Sequence, residues 1–537
     1  MMSLTAEPKK LDRPMLGIAA VLLGASLATL FGRLLSVGLP DLRGALAIDV
    51  DSGSWLGTTY NMGLMFIGPF STYLGGLLGP RRVLLGAAFV FTVLCTAMPF
   101  AGNGHVLIAL LALAGLSAGT FYPLTLSFIL RNLPQRYLHF GIAAYAIDIV
   151  VTTHVAHSYE GWLIAALTWR WIFWTTACLT PVMIALIVLG IPSQPVPQPK
   201  PGQPIPSWRG FLYASLGAAL LYGGLDQGER LDWWRSGTFV AMVISGLFLI
   251  LAAAVRHFYR PNPLVDYPFL RRRNTLLLSL VVLLFRFVLL ASVVLIPSYL
   301  AAVKGYRPEQ TGPVLLWLAL PQLFAGMLAV YLLGRVDARL IIAAGFTLIA
   351  TGCVMNAQIS STWSGGSFDI SQLVLALGEG VAFNGMVGAI ILQMINSGEM
   401  TNPAAALSFG GFFQTIRLFG GELGATFIQF FLHSRQVFHY DVLTSSVERG
   451  SPGVLARFTI LAVGMHARSS TGDLATGRAA VLFVGSIRQQ AFTLSIMDGF
   501  TLIASAATIC LFITACLKPL KTGFREVIAA SSVAKSA

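Results

Sequence analysis

Between Leu138 and Trp174 the sequence runs LHFGIAAYAIDIVVTTHVAHSYEGWLIAALTWRWIFW, an apolar stretch of membrane length that carries Asp148, His154, His157 and Glu160. Ionisable side chains at bilayer depth are costly unless a partner or water receives them, so they are candidates for handling a proton or a solute. His154, His157 and Glu160 step by three residues and fan over about a third of a helix circumference. Such steps spread ligands instead of converging them on a tetrahedral centre, so no metal site is expected. Asp148 lies roughly 120° round from His154 and about 9 Å along the axis. Histidine titrates near neutrality, and proton exchange is the chemistry these residue types share. Arg33, in the first apolar run, is the natural counter-charge of Asp148, because an unpaired arginine at that depth is costly too. Asp148, Arg33, Glu160, His154 and His157 therefore form the proton-coupling set. The bland alternative is that they are polar pairs fixing helix packing.

The C-terminal half repeats the theme. Arg286, Glu379, Asn384, Gln414, Arg417 and Glu422 all sit inside apolar runs. They are candidates for lining a substrate cavity. Arg417 and Glu422 are five residues apart, so they look to other helices and not to each other.

The elements that must position these groups follow from composition. The chain is 56% hydrophobic and only 11% charged, with a mean hydropathy of +0.76, whereas a soluble domain is about a quarter charged. This is a polytopic membrane protein. Its net charge of +13 sits mostly in short gaps between apolar runs, where basic residues set topology, so nucleic acid is not an expected partner. The five cysteines, Cys95, Cys178, Cys353, Cys510 and Cys516, fall in apolar runs without metal-ligand spacing. No nucleophile elbow, phosphate loop or zinc motif appears, so neither an enzyme nor a bound cofactor is expected. Lys9, Lys10 and Arg13 precede a run too long for a signal peptide, so the first helix is expected to stay.

A crossing needs roughly 20 apolar residues. On that criterion about fourteen spans are expected, near 15–40, 55–78, 82–101, 105–130, 139–165, 170–191, 209–225, 236–256, 274–302, 311–333, 338–358, 370–397, 402–432 and 494–517. Basic residues such as Arg81, Arg82, Arg131, Arg136, Arg271, Arg335 and Lys518 collect on one side, which puts both termini in the cytoplasm. Pro192–Ser207, PSQPVPQPKPGQPIPS, is an extended proline-rich spacer, and the basic stretch Arg256–Arg273 is a second linker. The plan is all-α: an N-terminal six-helix bundle (1–191), a linker with two extra helices (192–257), and a C-terminal six-helix bundle (258–537). The outer stretch 433–493 is long, and Val454–Met465 and Ala479–Phe492 have helical apolar spacing. Short surface helices or a partly ordered loop fit it equally.

Several local motifs carry a resemblance. Leu74-Gly75-Gly76-Leu77-Leu78-Gly79-Pro80-Arg81-Arg82 follows the second span, and Trp169-Arg170-Trp171-Ile172-Phe173 follows the fifth. Ile296-Pro297-Ser298-Tyr299-Leu300 ends the ninth, Arg417–Gly424 lies in the thirteenth, and Gln489-Gln490-Ala491 with Asp498-Gly499-Phe500 opens the last. In this order the chain resembles the fourteen-helix branch of the major facilitator superfamily, the drug:proton antiporters of the EmrB/QacA type. It departs from that branch at several points. Phe31 stands where the first span usually has an acid, Gly76 replaces the loop acid, and Ala156–Gly161 keeps only the last glycine of the antiporter signature.

The resemblance implies two pseudo-symmetric bundles, a central cavity, and alternating access. It implies proton-coupled export of amphipathic or hydrophobic small molecules from a bacterial inner membrane. It also implies a periplasmic adaptor and an outer-membrane channel as partners, besides membrane lipid. Two alternatives stay open. One is an uncoupled or importing transporter of an anionic solute, held by Arg33, Arg286 and Arg417. The other is a non-transporting membrane scaffold.

Overall fold

In hydrocarbon an unpaired backbone N–H or C=O costs several kcal/mol, so apolar runs of this kind must form helices that satisfy themselves. The computed structural model describes residues 14–133, 138–192, 208–259, 272–397, 403–447, 451–467, 472–519 and 523–526. Among these the elements are helical throughout. The first eight are α1 (Pro14–Val37), α2 (Leu39–Leu46), α3 (Val50–Leu78), α4 (Pro80–Ala97), α5 (Gly104–Ala118), α6 (Phe121–Asn132), α7 (Leu138–Ala166) and α8 (Trp171–Gly190). Two more, α9 (Trp208–Gln227) and α10 (Gly237–Tyr259), form the extra pair. Then follow α11 (Arg273–Val288), α12 (Ile296–Lys304), α13 (Pro308–Leu333), α14 (Ala338–Asn356), α15 (Asp369–Asn396), α16 (Pro403–Ser445), α17 (Pro452–His466) and α18 (Gly472–Ala515).

Among the described residues ten stretches are long and apolar enough to cross a membrane by length and composition. Four further helices, α3, α7, α9 and α16, lie where the other expected crossings fall. The expected fourth span breaks at Gly119-Thr120 into α5 and α6, and the ninth passes through a π-helical turn, Ala291–Leu295, between α11 and α12. Most of Pro192–Ser207, and residues 260–271 of the second linker, lie outside the described residues.

The outer stretch differs from the expectation. The helix at Val454–Met465 is there, as α17, but Ala479–Phe492 is no separate surface helix. It is part of α18, which runs unbroken for 44 residues, and α16 runs for 43. At 1.5 Å per residue each is about 65 Å long, roughly twice the hydrocarbon thickness. The hydropathy limits of 432 and 494 missed this because side-chain pairs, not apolarity, hold the extension. Asp498 of α18 accepts from Arg435 Nε at 2.6 Å and lies 2.7 Å from His439 Nε2, both on α16. Phe458 of α17 meets Phe483 of α18 edge-on at 6.4 Å.

Packing explains the departures near the first span. Phe31 is fully buried and touches Tyr60, Phe91 and Phe173 at ring separations of 5.0, 5.4 and 6.1 Å. A carboxylate there would face an aromatic core. Gly79 takes φ +85° in the tight turn between α3 and α4, a conformation open to glycine. Arg81 then donates from Nη2 to the Val188 carbonyl at 3.3 Å, while Arg82 is exposed. Arg170 lies over the Trp169 ring at 5.2 Å, and Trp171 meets Trp174 edge-on.

Helix α7 packs along α13, with α15 behind, and α16 packs on α6 and α3. The α7–α13 approach is backbone-close. A Cβ on Gly161 would lie 2.7 Å from the Glu309 backbone, and one on Gly312 would lie 2.5 Å from Ser158 Cα. Toward the middle, a Cβ on Gly326 would strike the Ile147 side chain. The seam from Ile147 to Gly161 is about 21 Å of helix. The extra pair joins at one edge, α9 lying between α3 and α16 with α10 outside it.

Candidate functional site

Between these seams lies a polar cavity of about 300 Å³. α1 contributes Arg33, α7 His154, α11 Arg286, and α16 Arg417 and Glu422, all five anticipated from the sequence. The wall also includes Tyr122, Tyr222, Asp226 and Phe383, which were not. Arg417 is 5% exposed, donates from Nε to Gln414 Oε1 at 3.1 Å, and stands over the Tyr122 ring at 3.9 Å.

Behind the wall is a buried acid with three side-chain partners. Glu379 of α15 is fully buried. Its Oε1 accepts from Ser292 Oγ at 2.7 Å, and its Oε2 accepts from Gln322 Nε2 at 2.7 Å. His154 Nε2 of α7 lies 3.3 Å from the same Oε2, and His154 is itself buried. Three of these groups belong to the C-terminal helices and one to the N-terminal ones, so the contact bridges the two halves. Ser292 reaches Glu379 from the π-helical turn, a distortion that recurs at functional sites. Among the described residues Glu379 has no arginine or lysine within 4.0 Å. Its one ionisable partner within that distance is a histidine.

The remaining anticipated residues lie elsewhere. Asp148 accepts from Ser26 of α1, and its second oxygen is buried without a partner. Arg33 forms no ion pair with it among the described residues. It points into the cavity instead, toward Arg417, Tyr122 and Tyr222. The helical geometry explains this: Ser26 is seven residues, or about two turns, before Arg33, so only one of the two can stand level with Asp148. Glu160 is fully buried near the far end of α7, tucked against Gly38, with Asp41 and Glu309 as charged neighbours. His157 has Arg33 and His154 nearby, and its Nδ1 has no hydrogen-bond partner. Asn384 bonds its own helix at Gly380 O, 2.8 Å away.

Asp226 of α9 is the main omission. It accepts from Thr58 Oγ1 of α3 and lines the same cavity as Glu422 of α16. The expected seventh span stopped at residue 225, one short of it. Ending that helix on its last polar residue instead of its last apolar one would have found Asp226.

Residues 21–425 match the model of the Major Facilitator Superfamily. The chain belongs to that superfamily. Its similarity to characterised members is wide but distant. It is 25% identical to the multidrug export protein EmrB of Haemophilus influenzae over 82% of this chain and 86% of that one. With the EmrB of Escherichia coli it shares 22% identity over 87% and 90% of the two chains. With the fatty acid resistance protein FarB of Neisseria gonorrhoeae it shares 23% over 75% and 78%. The fold also matches a crystal structure of the human organic anion transporter MFSD10, with a TM-score of 0.53 at 12% identity, covering 92% of this chain and 99% of that one. This superfamily member is thus an all-α, multi-pass membrane transporter, as its motifs implied.

Proposed function

We propose that this transporter exports amphipathic or hydrophobic compounds from a bacterial inner membrane in exchange for protons. The observation that carries the reading is the buried His154–Glu379 contact joining the two halves beside the cavity. A buried ionised acid is costly unless it is paired. Its protonation state is therefore tied to the seam between α7 and α15. A proton arriving on the Glu379 carboxylate neutralises it and weakens its contact with His154 across the seam, and the halves can then separate. When the proton leaves, the contact reforms. That is the link between proton binding and alternating access that an exchanger needs. The proposal moves the coupling carboxylate from Asp148 to Glu379. Asp148 is held by Ser26 on a neighbouring helix of the same half. The export direction is supported by the similarity to proteins named for multidrug export and fatty acid resistance.

The helical projection formed by the ends of α16 and α18 with α17 is proposed as the docking surface of a periplasmic adaptor. Ile460 and Val463 on α17 are 71% and 64% exposed, which suits an apolar contact outside the bilayer better than water. The basic short gaps support cytoplasmic termini. The functional proposal is tested in proteoliposomes with an imposed pH gradient, using ethidium and decanesulfonate as probes. Gradient-driven flux of either, lost in Glu379→Gln, is the expected result. Flux of both that ignores the gradient would leave an uncoupled transporter.

A further inference from the structure

Arg33, Arg286 and Arg417 come from three different helices and line one cavity. Arg286 has Arg417 and Arg33 as its charged neighbours, with Tyr122 and Tyr222 beside them. Among the described residues none of the three forms an ion pair within 4.0 Å. Arg286 Nε is buried without a hydrogen-bond partner. Arg417 has one bond to Gln414 and the Tyr122 face, which leaves most of its five donors unused. The two acids in the same cavity form no ion pair with any of the three: Asp226 accepts from Thr58 Oγ1, and Glu422 from Thr426 Oγ1 at 3.3 Å. Three guanidinium groups that repel one another are expensive to hold together in a membrane protein unless something answers them.

We infer that the cavity binds amphipathic organic anions, with a carboxylate or sulfonate head among Arg33, Arg286 and Arg417. This names the substrate class of the transport reading above and rests on it. Guanidinium forks match planar oxyanions in bidentate fashion, which a point-charge lysine would not. The anion's tail has an apolar wall ready beside the head site: Leu289, Leu290, Val293, Phe383 and Ala425. Phe383 is fixed by flat stacking on Phe285 at 5.5 Å. A permanent cation placed at the same point would meet three like charges.

The test is calorimetric titration of the full chain in phosphatidylcholine nanodiscs at pH 8, without any gradient. Decanoate and decyltrimethylammonium serve as chain-matched anion and cation. Decanoate should bind about tenfold or more tighter, and Arg286→Gln or Arg417→Gln should weaken it by a similar factor. Arg286→Lys should recover part of the loss, because it restores charge without the fork. Equal or tighter binding of the cation by the unaltered protein would overturn the inference, whether or not the variants fold. So would decanoate affinity unchanged in a folded Arg286→Gln, Arg417→Gln double variant. Since binding is read without protons or flux, decanoate binding without gradient-driven flux of decanesulfonate would count against the coupling proposal. Ethidium flux with no decanoate binding would count against this inference alone.

Discussion

Replacing His154 by leucine removes the one hydrogen-bond partner that Glu379 has in the N-terminal half among the described residues. Ser292 and Gln322 remain, at 2.7 Å each, so the acid keeps its local partners and the C-terminal helices should fold. What is lost is a hydrogen bond to an ionisable partner across the seam, worth about 2–3 kcal/mol in a buried setting. That corresponds to roughly 30- to 150-fold in the equilibrium between seam-closed and seam-open forms. The readout is a distance distribution between spin labels at Thr168 and Ala302. Both are exposed, and they sit where α7 and α12 end near the close Gly161–Glu309 contact. The wild type should give one short distance, and His154→Leu should add a long-distance population. His154→Leu with an unchanged distribution would mean that the backbone-close Gly161 and Gly312 contacts hold the seam alone, and the gating role of the pair would fall.

Other outcomes are expected from neighbouring features. Ile460→Asp with Val463→Asp should abolish resistance in cells while leaving flux in liposomes intact; loss of both would make α17 part of the fold's support. A cysteine at Thr362 should react with an impermeant maleimide from outside, and one at Ser531 only after permeabilisation; labelling of both from one side would overturn the topology. Asp337, between α13 and α14, caps α14. Burial disfavours its carboxylate, but hydrogen bonds from the Arg339 side chain and backbone outweigh this and hold it below the usual range. A depressed value stabilises the fold above about pH 4 and stops doing so as pH falls through it. Asp337→Asn should therefore lower the thermal midpoint at pH 7, and the difference should shrink below about pH 4. A difference that grows on acidification would contradict this.

Much of the architecture was legible because the bilayer enforces it: apolar runs of crossing length must be helices. The motifs gave the superfamily, and Arg33, Arg286, Arg417 and Glu422 could be named because charges in apolar runs are rare. Their grouping was not legible. Asp148 and Arg33 were paired by depth along their helices, but depth says nothing of which faces meet, and Ser26 holds Asp148 instead. Glu379 was assigned to the cavity wall, whereas it sits behind it. The π-helical turn that brings Ser292 to it leaves no periodic trace in the sequence. Arg435 and His439 lie past the apolar limit of α16 and are held there by Asp498 of α18, and hydropathy is blind to such pairs.

The central claim is that the proton is exchanged at Glu379. Liposomes loaded with pyranine and reconstituted with the transporter report internal pH as decanesulfonate or ethidium is added outside. Substrate should drive a proton movement in the wild type and in Asp148→Asn, and none in Glu379→Gln, with substrate still bound. A Glu379→Gln transporter that moves protons with substrate as the wild type does would contradict the account.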